Sequence, residues 1–188
     1  MGIRGFDRWV SARGLAGAWL AALGACTAVQ PECPREWLEL GGGVVEADSA
    51  SGIQDAWGWS AAGGFDLNAD ALVVSWELNG QWSQHDVDAG GGALPEELDV
   101  LRIGTGVRVS TRLVEAPLGA YVRGGWMWRE EESSAASVTT RDATGTYFGV
   151  GLEWWYTSYA SLGPSVTWWS TGERSRDEVF VGLSARFY

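Results

Sequence analysis

From residue 36 to the C-terminus, apolar and polar positions alternate with a period of two, broken at intervals by short polar stretches. A period of two is the signature of strands with two different faces. The last stretch, Glu178–Tyr188, is the clearest. Val179, Val181, Leu183, Ala185 and Phe187 fall on one face, and Phe180, Gly182, Ser184, Arg186 and Tyr188 on the other. An edge strand of a soluble sheet is usually blunted by charge or proline. This one is a closing strand that must pair on both sides.

The pattern predicts seven strands before it. They span 36–47, 55–67, 71–83, 100–111, 117–129, 144–156 and 159–170. Leu72, Val74, Trp76, Leu78, Gly80 and Trp82 oppose Val73, Ser75, Glu77, Asn79 and Gln81 in the third. Leu118, Ala120, Val122, Gly124, Trp126 and Trp128 oppose Gly119, Tyr121, Arg123, Gly125 and Met127 in the fifth. The seventh is the weakest, interrupted by Gly163-Pro164. The connections expected after strands one, three, five and seven are longer and charged, among them 84–99 and 130–142. Those after two, four and six are short. Alternating connection length and strands of about 10–13 residues suit an up-and-down antiparallel barrel that crosses a bilayer. It puts both termini at the short-turn end, the periplasmic side of such a barrel.

The same alternation fits a soluble barrel with its apolar face inward. Side-chain volume decides between them. The apolar face carries many Trp, Phe and Leu, more bulk than an eight-stranded lumen can hold. The other face is rich in Gly, Ser and Ala, with scattered Arg and Glu. Glycine weakens a solvated strand, whereas a narrow lumen requires small residues. Aromatic position agrees. Trp57, Trp59, Trp82, Trp126, Trp128, Trp168 and Trp169 fall at the strand ends beside the long connections. Trp37, Trp154, Tyr156, Tyr159 and Phe187 fall at the opposite ends. Two aromatic girdles mark two membrane interfaces.

Composition narrows the class. The formal charge is −11, and every basic residue is Arg. An acidic chain lacks the positive field that nucleic acid demands. Mean hydropathy of −0.07 is too polar for a helical membrane protein. Ahead of the strands, Arg4, Arg8 and Arg13 precede a short apolar run, 15–25, ending in small residues. That is the pattern of a cleaved export signal over residues 1–25. Its removal takes three Arg and one Asp and leaves a charge of −13. Leu23-Gly-Ala-Cys26 is similar to a bacterial lipobox, which makes Cys26 a candidate lipid-attachment site. Ordinary cleavage after Ala25 or Ala28 is the other reading, and a retained Cys26 then has Cys33 as a disulfide partner in an oxidising compartment. Residues 26–35, with Pro31 and Pro34, form a short periplasmic leader.

Taken together, residues 36–188 resemble the small bacterial outer-membrane β-barrels of the OmpA/OmpX and OmpW types. The closing Val181-Gly-Leu-Ser-Ala-Arg-Phe187 carries that resemblance, and Tyr188 is an extra residue beyond it. The resemblance implies an eight-stranded, monomeric barrel in the bacterial outer membrane. Its partners are membrane lipid and glycolipid, and the barrel-assembly machinery engages its C-terminal strand. It also suggests a structural or surface-interaction role. Binding of small apolar molecules, as in OmpW-like barrels, and a soluble lipocalin-like lipoprotein are the alternatives.

The inward face collects Glu39, Glu77 and Glu153 with Arg102, Arg108, Arg123 and Arg186. Charges in a lumen must be paired or hydrated, so a Glu–Arg network filling the barrel is expected. The single histidine, His85, has no recognisable nucleophile spacing around it, and the His-x-Ser pair of lipid A-deacylating barrels is missing. No catalysis is expected. One His and two N-terminal Cys make no zinc site. Gly104-Thr-Gly106 and Gly149-Val-Gly151 lack the third glycine of a dinucleotide loop. No cofactor is expected. The long connections are acidic, with Asp86, Asp88, Glu96, Glu97, Asp99 and Glu130-Glu-Glu132.

Overall fold

A computed structural model describes residues 35–47, 53–67, 72–87, 96–112, 117–133, 141–172 and 177–188. The export signal, Cys26, Cys33, the leader up to Pro34 and the loop residue Asp88 lie outside the described residues. Eight strands form a closed antiparallel barrel in sequence order: β1 (Glu36–Ala47), β2 (Ala56–Asp66), β3 (Leu72–Val87), β4 (Glu96–Arg112), β5 (Leu118–Ser133), β6 (Arg141–Trp155), β7 (Ala160–Ser170) and β8 (Glu178–Phe187). β8 pairs with both β7 and β1, as a closing strand must.

The register runs from Glu36 through Phe65, Trp76, Val107, Gly124, Phe148, Trp168 and Val179 and returns to Glu46. The path comes back ten residues further along β1. That stagger tilts the strands against the barrel axis. No free edge is left to pair with another chain.

Two segments expected to be loop are strand. β3 and β4 continue through Val87 and from Glu96, with Gln84 opposite Asp99 and Asp86 opposite Glu97. β5 and β6 likewise run to Ser133 and from Arg141, with Glu130 opposite Asp142. Polar composition hid this continuation, because strands that rise out of the apolar zone lose their apolar face but keep their ladder. The true connections are 48–55, 88–95, 134–140 and 171–177 at one end. At the other end they are 67–71, 113–117 and 156–159, which are shorter.

The barrel is inverted relative to a soluble one. Leu38, Leu40, Val107, Val122, Leu152 and Leu183 stand exposed on the outer wall, while Glu39, Glu77, Arg102, Arg108, Arg123, Arg129, Glu153 and Arg186 are buried inside. Small residues make that interior possible. A Cβ on Gly104 would sit 2.9 Å from Cε1 of Tyr147, and one on Gly151 would collide with the Tyr121 ring. Each glycine gives its space to an aromatic ring from another strand. The β6–β7 ladder is interrupted where Leu152 and Glu153 face Gly163 and Pro164, between the Gly151–Ser165 and Trp154–Leu162 pairs. Proline has no N–H to donate.

Candidate functional site

Period-two geometry sends every second residue of each strand into the lumen, and two ionic clusters form there. The first sits toward the short-turn end. Arg108, from β4, donates through Nη1 to Glu39 Oε2 on β1 at 2.6 Å and through Nη2 to Glu153 Oε1 on β6 at 2.7 Å. Arg123, from β5, reaches Glu39 Oε1 at 3.3 Å and donates to Thr167 Oγ1 on β7 at 2.7 Å. Arg186, from β8, reaches Glu153 at 3.3 Å and Asp66 at 3.5 Å, and Ser75 donates to Asp66 at 2.7 Å. Rings fill the gaps between guanidinium groups. Arg108 lies 3.4 Å from the Tyr121 centroid, and Arg186 lies 4.2 Å from Trp37 and 4.7 Å from Tyr188. Glu77 is held by neutral donors, Tyr147 Oη at 2.8 Å and Asn79 Nδ2 at 3.1 Å.

The second cluster sits toward the long-loop end. Glu178 accepts from Nε and Nη2 of Arg102, the former at 2.6 Å, and from Arg129 at 3.1 Å. Arg129 also meets Glu131 at 3.0 Å. Arg102 donates onward to Ser83 Oγ at 3.0 Å, and Ser83 lies 2.8 Å from His85 Nε2. His85 Nδ1 is 2.8 Å from the carbonyl oxygen of Gln54. A carbonyl only accepts, so Nδ1 carries the proton and Nε2 accepts from Ser83.

Among the described residues, five buried acids (Glu39, Asp66, Glu77, Glu153, Glu178) face five buried arginines (Arg102, Arg108, Arg123, Arg129, Arg186). The formal charges of these ten buried side chains balance. All seven charged residues expected inside lie there. They do not form one network: Arg102 belongs with Glu178, away from the Glu39–Arg108–Glu153 group. Arg129 and Glu178 were missed although each is the terminal residue of an expected strand; the inward parity of Met127 and of Phe180 carries them into the lumen.

The aromatic positions need two corrections. Trp57, Trp59, Trp126, Trp154, Trp168 and Phe187 are exposed on the outer wall, the first at 74% and Trp126 at 73%, and Trp82 and Trp128 are half-buried there. Trp169 and Trp37 are not on that wall. They are 3% and 2% exposed and point into the lumen. Adjacent residues of a strand point to opposite faces, so Trp168 outward requires Trp169 inward. Trp37 shares the inward parity of Glu39.

The Ser83–His85 pair also departs from expectation, since a hydroxyl does lie on the histidine. Both residues are completely buried, and Arg102 already donates to the serine oxygen. The pair fastens the Ile53–Gln54 segment to β3, beside the Ile53–Val87 bridge and the Gln54 N to Asp86 O hydrogen bond at 3.0 Å. Among the described residues no group of His, Cys, Asp and Glu has the makings of a metal site.

No protein-family model and no curated protein sequence matches the chain. Solved structures do. Neisserial surface protein A is similar with a TM-score of 0.63 at 10% identity, over 81% of this chain and 96% of that one. OprG from Pseudomonas aeruginosa gives 0.54 at 11% identity, over 82% and 97%. Ail, the attachment invasion locus protein of Yersinia pestis, gives 0.51 at 15% identity, over 81% and 96%. The chain has the fold of the small, closed, eight-stranded β-barrels of bacterial outer membranes.

Proposed function

We propose that this protein is a bacterial outer-membrane barrel with a structural and surface-interaction role: a rigid, sealed anchor that carries an acidic rim. The observation that carries this reading is the inversion of burial. Large apolar side chains coat the outside and balanced charges fill the inside. Water would expel the first arrangement, and lipid tails would leave the second as the one place for charge. The exposed Trp57, Trp59 and Trp126 at one end and Trp154, Tyr156, Tyr159 and Phe187 at the other then sit at the two headgroup levels. The long-loop end faces the outside of the cell, and both barrel ends near Glu36 and Tyr188 face the periplasm.

The rim follows from the extended strands. Asp86 lies opposite Glu97, Asp99 opposite Glu132, and Glu130 opposite Asp142. Like charges paired across strands destabilise a sheet, so these positions serve something other than the barrel's own stability. Uptake of apolar molecules through the wall has one feature in its favour, the ladder interruption at Gly163-Pro164. Behind it stand Glu153 and Arg186, paired and buried. That filling supports the sealed anchor over the uptake route. The buried, arginine-bound Ser83 likewise favours a role without catalysis.

An epitope inserted in the 88–95 connection tests the orientation. Antibody binding to intact cells is expected. Binding only after the outer membrane is broken reverses the orientation and removes the surface role.

A further inference from the structure

His85 is the one histidine in the chain, and its buried ring sits at a junction. Nδ1 donates to the Gln54 carbonyl at 2.8 Å, and Nε2 accepts from Ser83 Oγ at 2.8 Å. Ser83 Oγ in turn accepts from Arg102 Nη1 at 3.0 Å, and Arg102 is bound to Glu178. A chain of hydrogen bonds thus runs from the buried ionic cluster to the Ile53–Gln54 segment ahead of β2.

That chain is built for a neutral imidazole. A second ring proton would sit on Nε2, where Ser83 now donates. Ser83 would then turn its own hydrogen away while still accepting from Arg102, and a buried donor left without its acceptor costs free energy. The new charge would also meet two others of its own sign. The charged groups that face the ring are Arg102 of β4, Arg129 of β5 and Glu178 of β8. Both oxygens of Glu178 are already held by the two arginines, and Glu131 of β5 pairs with Arg129. The segment ahead of β2 presents the neutral Gln54 carbonyl, and β3 itself the Ser83 hydroxyl. His85 stands beyond Trp82 of the girdle, above the zone that meets lipid. Burial pushes its imidazole below the usual value of 6.5, and the Gln54 carbonyl and Glu178 do not offset it.

We propose that His85 is a pH-sensitive latch on the Ile53–Gln54 segment. Neutral, the ring is buried and holds the segment against β3. Protonated, it leaves its place between Ser83 and the arginines, and the segment loses its hold on β3. Nδ1 carries a proton in both forms, so the Nε2 side makes the switch. The neutral form is the one the fold favours. The held state is therefore complete above about pH 6.5 and is lost as pH falls through the ring's own, lower midpoint. The Gln54 N–H, bonded to Asp86 O at 3.0 Å, reports the release. The proposal is independent of which barrel end faces outward.

Nuclear magnetic resonance of the full chain in lipid nanodiscs, from pH 8 down to pH 4.5, tests it. The ring nitrogen shifts follow the protonation of His85. Amide exchange, taken relative to the intrinsic rate at each pH, follows Gln54. A loss of Gln54 protection of about fivefold or more is expected in the same pH step as ring protonation, while Trp82 in the same strand stays protected. In His85→Asn, which does not titrate, Gln54 protection is expected to be independent of pH. Protonation of His85 with Gln54 protection unchanged overturns the proposal. So does a ring that stays neutral down to pH 4.5, or the same loss of protection in His85→Asn. If that variant does not fold, the paired titration in the unaltered protein decides the matter alone.

Discussion

Arg108 Nη1 lies 2.6 Å from Glu39 Oε2, a bond that crosses the lumen from β4 to β1. The residues are 69 positions apart, and both are buried. Breaking a buried pair by removing one partner costs about 3–5 kcal/mol, because the other charge stays behind uncompensated. Arg108→Met should therefore lower the free energy of urea unfolding in lipid vesicles by about that amount. A loss under about 1 kcal/mol, the size of a solvated surface pair, would mean that water reaches this part of the lumen.

The outer wall makes the opposite demand. Val107 is exposed on β4, opposite Trp76 and Gly124. If that wall meets lipid, Val107→Arg should destabilise the folded barrel by about 2–4 kcal/mol in bilayers. A soluble barrel would absorb the same substitution within about 0.5 kcal/mol. Folding equilibria in vesicles separate the two.

His85 connects the buried cluster to the segment that leads into β2. In His85→Ala, the Gln54 carbonyl and the Ser83 hydroxyl each lose a partner. A cost of about 1–3 kcal/mol is expected, with the Gln54 amide exchanging faster with solvent. Unchanged exchange at Gln54 would show that the Ile53–Val87 bridge holds this segment without the histidine.

Tyr188, the residue beyond the usual terminal Phe, follows the lumen parity of Arg186. Its ring lies 4.7 Å from the Arg186 guanidinium and 5.6 Å from Trp155. Its backbone N–H donates to Tyr159 O at 2.9 Å. Tyr188→Ala uncovers one side of Arg186 and should cost about 0.5–2 kcal/mol, read as a lower urea midpoint. An unchanged midpoint would make Tyr188 a bystander.

The strands and their faces were legible because period-two alternation survives in every one. Even Phe187 and Tyr188 separate correctly by parity. Height along the barrel was legible too, since aromatic residues collect near strand ends. Confusing those two signals misplaced Trp37 and Trp169, which have girdle height but lumen parity. Loop composition concealed that β3 runs past Ser83, and with it the Ser83–His85 pair. Same-face spacing at i and i+2 reveals such a pair once the strand is extended. Which arginine meets which carboxylate was not legible at all. Those pairs depend on the ten-residue stagger, which carries Arg102 to Glu178 rather than to Glu77.

The central claim is that the barrel closes in a membrane with its apolar face outward. Gel mobility in SDS of the membrane-fraction protein, with and without boiling, tests it most directly. A closed barrel leaves no backbone group unpaired for detergent to attack, so the unboiled protein should migrate as a distinct, compact band that boiling abolishes. A single heat-independent band, from protein released into the soluble fraction without detergent, would contradict the account.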